Sequence, residues 1–213
     1  MTTMMIRPVL PHLYKFDVNN TGMMIGAAML IFMTVMITIF TACLAAEKFD
    51  GNKKNATLCF IGITFCAALA LVCFFGCAAI TVKGIILSLI LALSSYEDIK
   101  KRECDDYLHL MIVIAAFIGT ELTSLPGMLL SGLFAGGLML ITTLITKSNV
   151  GGADIKLAAA CSFLLGLSRG IIGLLIGMIL AVVCNAFKKD KKKGFPMIPY
   201  LAVGTMTAYF IQI

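Results

Sequence analysis

The chain has 213 residues, of which 60% are apolar and 13% charged, with a formal net charge of +6. Soluble domains average about 45–50% apolar and about 25% charged, so these figures exclude an ordinary soluble domain, a disordered chain and a nucleic-acid-binding module. They point to an all-α polytopic membrane protein, whose hydrophobicity is set by lipid rather than by a single buried core.

Residues 1–20 carry Arg7, Pro8, Pro11 and Lys15 and read as a non-membrane segment without the pattern of a signal peptide. The first apolar run, Met23 to Ala46, is 24 residues, long enough to span a bilayer. The second extends from Ala56 to Val82, where Lys83 interrupts. The third, Gly84 to Tyr96, is 13 residues, about 20 Å of helix. It spans only if it begins near Ala79 and Lys83 snorkels. The fourth is Tyr107 to Thr120, the fifth Gly127 to Thr146 and the sixth Ile155 to Leu167. The seventh is Gly170 to Phe187 and the eighth Phe195 to Ile213. An open chain in lipid satisfies its own backbone groups only as helix, so the expected fold is a transmembrane bundle of about eight helices.

The charges give this bundle a sidedness. With residues 1–20 outside, the inside loops are 47–55, 97–106, 147–156 and 188–194, and they hold 13 of the 17 basic residues. Only Arg7, Lys15, Lys83 and Arg169 fall outside. That asymmetry is the positive-inside pattern, with the run at 188–193 as a cytoplasmic anchor beside anionic lipid. The eight cysteines include no CxxC pair and no zinc spacing. Cys59, Cys66 and Cys73 recur every seven residues, followed by Cys77, and read as a small-residue packing stripe. Gly132/Gly136 and Gly173/Gly177 read as close helix-packing sites.

Nine of the eleven acidic residues also fall inside, and two of them sit at helix edges. Asp98 closes the third helix and Asp154 opens the sixth. Two crossings separate them, so both reach the same membrane face. Two close carboxylates share one proton, leaving one acid and one base, which is the arrangement that activates water for peptide hydrolysis. A solvated loop residue and a helix cap would account for the same two positions.

The residues around each Asp decide between these. Gly151-Gly152-Ala153-Asp154-Ile155-Lys156 resembles the GxGD motif of prepilin peptidases, the membrane aspartyl proteases of type IV pilin systems. Asp98-Ile99-Lys100-Lys101-Arg102-Glu103 resembles their first catalytic motif, and the segment from Phe195 to Gly204 resembles their closing helix. Ala153 stands where the strict motif has Gly, and Cys104-Asp105 stands where the family often has Ile-Pro. The resemblance covers about residues 80–213 as a six-helix peptidase core. Residues 21–80 add two helices without an assigned role.

The resemblance implies Asp98 and Asp154 as catalytic residues and no cofactor or metal. Gly151, Gly152 and Ala153 would give close backbone approach to the site, with Asp154 as the ionised partner because it lies near a helix N-terminus. Lys156 would either anchor its helix at the interface or steady a carboxylate. Glu103, Asp105 and Asp106 are candidate contacts for a basic leader. The implied substrate is a prepilin-like protein, cut at the cytoplasmic face of a prokaryotic plasma membrane. The paired cysteines of the long, N-methylating members are missing from the sequence, so cleavage without methylation is expected, as in the short peptidases of Flp/tight-adherence pili. The rival readings are a proton-coupled transporter and a non-enzymatic pilus-assembly protein.

Overall fold

A computed structural model describes residues 21–48, 53–146, 151–187 and 195–211, with the side chains of Ala46, Lys48, residues 53–57 and Thr146 excepted. The expectations for residues 1–20 and for the basic run at 188–193 lie outside these residues. The described chain forms eight α-helices in the expected order. They are α1 (Thr21–Lys48), α2 (Lys53–Phe75), α3 (Ala79–Lys101) and α4 (Asp106–Ala116), followed by a 3-10 turn at Leu122–Ser124. Then come α5 (Leu125–Thr146), α6 (Gly152–Leu165), α7 (Leu167–Ala186) and α8 (Ile198–Phe210). Five helices, α1, α2, α3, α5 and α7, are long and apolar enough to cross a membrane. The helices α4, α6 and α8 are shorter, at 11, 14 and 13 residues.

The second apolar run breaks earlier than its hydropathy indicates. Gly76 takes a left-handed φ of 63°, and the Thr81 hydroxyl donates to its carbonyl at 2.6 Å. That turn ends α2 and lets α3 start at Ala79, the start that a spanning third helix requires. Lys83 does not snorkel. It is buried, and its Nζ donates to Thr120 Oγ1 at 2.7 Å. At the other end, Arg102 closes α3 in the left-handed region and donates its N–H to Asp98 O.

α3 lies against α2, α4 and α8; α6 lies against α4, α5, α7 and α8. The core between them is Leu and Ile from α3, α4 and α6, with Leu87, Leu91, Leu108, Ile112 and Leu157 almost fully enclosed. α1 joins the bundle through α2, where the buried hydroxyls of Thr38 and Thr64 lie 3.0 Å apart.

The glycine pairs do what their spacing predicts. A Cβ at Gly136 would stand 3.0 Å from Ala159 Cβ across the α5–α6 contact. One at Gly177 would stand 2.9 Å from Leu201 Cα across the α7–α8 contact. Backbones can approach this closely only without the side chain. The cysteine stripe does not behave as predicted: Cys59, Cys66, Cys73 and Cys77 are all exposed on the bundle. A seven-residue repeat marks one helix face but not whether that face meets protein or lipid.

Candidate active site

Asp98 occupies the last turn of α3 and is 7% exposed. Its Oδ2 accepts the backbone N–H of Ile198 at 3.1 Å, and the Met197 N–H also points to this carboxylate. These are the first free amides of α8. Pro199 stands at the helix start, where its missing N–H leaves no helical bond unmade. Burial raises the Asp98 carboxyl above its usual range, and the orphan donors and positive dipole end of α8 oppose that rise without cancelling it. The Arg102 guanidinium adds positive charge from the same end of α3.

Asp154 sits in the first turn of α6 and is 9% exposed. Its carboxylate reaches back to the Gly151 N–H, as a residue at this position of a helix start commonly does. A Cβ at Gly151 would lie 3.3 Å from Asp154 Oδ2, whereas around Gly152 the space is open. Gly151 keeps an ordinary extended backbone, so room for the carboxylate, not left-handed geometry, explains the glycine. Ala153 is partly buried against the core, where its methyl group is accommodated.

Burial, and after it the nearby charge of Asp98, push the Asp154 carboxyl up to about 6 against the opposing Gly151 N–H. The two aspartates are therefore brought to one end of the bundle within electrostatic reach of each other. Their environments differ. Asp98 has helix amides and an arginine; Asp154 has apolar burial and one amide. Burial works against the expected ionised state of Asp154, and it raises Asp98 as well, where more donors oppose it.

The sequence analysis passed over Glu97. It is 2% exposed, and its Oε2 accepts the Asp105 N–H at 3.2 Å. It thereby ties the 102–105 turn to α3, immediately beside Asp98. Cys104, in that turn, is buried. Burial, and secondarily the carboxylates of Glu97, Asp98 and Asp105, push its thiol up to about 11, against its bond to Ser94. A thiol held protonated is a poor nucleophile.

Lys156 pairs with neither catalytic candidate. Its Nζ lies 2.7 Å from Asp106 Oδ1 and 2.9 Å from Oδ2, which links the start of α6 to the start of α4. The Lys156 ammonium holds Asp106 below the usual carboxylate range. Of the three candidate leader contacts, Asp106 is thus already engaged, Asp105 caps α4 through its backbone, and Glu103 is exposed. His109, one turn beyond Asp106, is buried with Nδ1 4.0 Å from Asp106 Oδ1. Its ring lies beside the Ala153 backbone at the start of α6. Among the described residues, no group of His, Cys, Asp and Glu side chains is arranged to hold a metal ion.

Residues 85–185 match the type IV leader peptidase family. The match covers just under half of the chain and supports a likeness to that family. The matched segment starts within α3 and ends within α7, so it contains Asp98 and Asp154 but not α8, whose Ile198 N–H donates to Asp98. No curated protein and no solved structure matches the chain. The match supports a peptidase, with a function of the prepilin leader peptidase kind.

Proposed function

We propose that this protein is a membrane aspartyl endopeptidase that removes a short basic leader from prepilin-like substrates without N-methylation. The observation that carries the reading is the pair itself. Two aspartates from helices 56 positions apart are buried at one end of the bundle, close enough for one charge to act on the other.

In this reading Asp98, ionised on the α8 amides, takes a proton from a water held between the carboxylates. The water oxygen attacks the scissile carbonyl carbon while Asp154 donates its proton to the carbonyl oxygen. The tetrahedral diol then collapses. The C–N bond breaks, the amine nitrogen takes the proton from Asp98, and the diol returns a proton to Asp154. No bond to the enzyme forms. The end of the bundle carrying the dyad is assigned to the cytoplasmic face of a prokaryotic plasma membrane, on the distribution of lysines and arginines. The apolar helix of the substrate would lie in lipid with its leader junction at this edge. Exposed Glu103 is the best placed of the three acidic candidates to meet a basic leader.

The test is cleavage of a co-expressed prepilin-like substrate by wild type, Asp98→Asn and Asp154→Asn, with N-terminal sequencing of the product. Wild type is expected to cut at the leader junction and both variants to leave the substrate intact. Normal cutting by either variant removes that residue from the mechanism. A folded wild type that cuts no candidate favours a transport or assembly role.

A further inference from the structure

The fold also gathers two cations at the end of the bundle opposite the aspartates. Lys83 and Arg169 are 86 positions apart in sequence, yet lie within electrostatic range of each other. Lys83 is 7% exposed and makes one hydrogen bond, to Thr120 Oγ1, whose own hydroxyl donates to Ala116 O at 2.6 Å. Arg169, half-buried in the first turn of α7, makes no hydrogen bond or ion pair with any described residue. Tyr209, which the Arg169 charge also reaches, donates its hydroxyl to Ile80 O at 2.6 Å and so closes the back of this corner.

Apart from Tyr209, which favours the Arg169 charge, the local electrostatics here are unfavourable. The two cations repel. Each lies near the N-terminal end of its helix, where the dipole is positive. Among the described residues no carboxylate pairs with either; Glu121 is exposed and accepts from Thr123 at 3.3 Å. Buried charges without a counter-charge are retained where something else supplies it. Arginine offers a planar fork and lysine a compact point charge, and together they suit a tetrahedral oxyanion. Lys83 lies 15 residues before Asp98 on one continuous helix, which is about 22 Å. That distance is short of the about 30 Å hydrocarbon layer, so the corner lies toward its other boundary but several ångströms inside it.

We propose that Lys83 and Arg169 form a binding site for a phosphate group, namely the phosphodiester of an anionic phospholipid, toward the membrane boundary opposite Asp98 and Asp154. The site is independent of the peptidase reading.

The test is native mass spectrometry of the full chain in neutral detergent, with phosphatidylglycerol and phosphatidylcholine as probes. Wild type is expected to retain phosphatidylglycerol preferentially. Arg169→Gln and Lys83→Gln are each expected to weaken retention about tenfold, the loss of one charge-assisted hydrogen bond. A triple substitution of Lys189, Lys191 and Lys192 by Gln is expected to retain the lipid, which separates this corner from the basic run at 188–193. A second arm heats wild type and Arg169→Gln with inorganic phosphate alone. Protection of wild type only, without phosphatidylglycerol preference, keeps the anion site and makes free phosphate its ligand. Equal lipid retention by wild type and Arg169→Gln, together with equal response to phosphate, overturns the proposal. Arg169 is half-exposed, so its variant carries the test even where Lys83→Gln fails to fold.

Discussion

Replacing Asp154 by Asn separates stability from activity. The folded chain holds the Asp154 carboxyl near 6, against an ordinary 3.8, mainly through burial. The folded state therefore binds this proton more tightly than the unfolded chain. Stability from the group is complete below about pH 3.8 and is lost as pH rises through about 6. At neutral pH the ionised, desolvated carboxylate costs the fold about 3 kcal/mol. Asn has the same shape, carries no charge, and its side-chain oxygen still accepts the Gly151 N–H. Asp154→Asn is thus expected to raise Tm in detergent at pH 7.5 by roughly 5–10 °C for a chain of this size. At pH 4 the gain should vanish, because the wild-type carboxyl is then protonated too. Cleavage should be lost at both values. Thermal unfolding of both proteins at the two pH values is the assay. A Tm at pH 7.5 that is unchanged or lower, or a gain of equal size at pH 4, refutes the burial argument.

Further outcomes follow from the same geometry. Asp98→Asn should keep the fold and lower cleavage about 10³-fold, as expected for loss of a general base. Asp98→Ala should in addition lose about 1 kcal/mol of stability, since the α8 amides lose their acceptor, measurable by denaturant unfolding. The cleavage rate of wild type should fall as pH rises above about 6, where Asp154 gives up its proton; a flat profile from pH 5 to 8 would contradict its role as acid. Lys156→Met breaks only the exposed link to Asp106 and should leave Tm and cleavage close to wild type; a loss matching that of Asp98→Asn would place Lys156 in the chemistry. Gly204→Ala drives a methyl into the backbone of Gly173 and Gly177, so it should cost about 1–3 kcal/mol and lower cleavage by displacing α8 from Asp98.

Much of this architecture was legible because charges punctuate the apolar runs. Lys53, Lys100 to Arg102, Lys147 and Lys156 bracket helices that formed where they were expected, and both aspartates stand at the predicted helix ends. Gly76 was not legible as a break, since hydropathy is continuous across it and only its left-handed φ ends α2. Lys83 was read as reaching for water because a single sequence does not show Thr120 approaching from 37 residues away. Glu97 was read as part of a loop, whereas α3 continues past it and turns it into the interior. The helix dipole at Asp154 is visible in sequence, whereas the burial that opposes its ionisation is not. The Phe195 to Gly204 segment was noticed for its family resemblance. That its amides hold Asp98 is a tertiary contact with no local signature.

That contact spans 100 positions and has a consequence for biosynthesis. A ribosome that has just made Asp98 must add another hundred residues before Ile198 exists, and α8 must then enter the bilayer beside α3. Until that moment the nascent chain holds a bare carboxylate at the end of α3, with no amides to orient it. The dyad is therefore assembled at a late stage of insertion, after α6 and α7 are in place. On the proposed mechanism, Asp98 would be oriented toward Asp154 only once α8 has packed against α3.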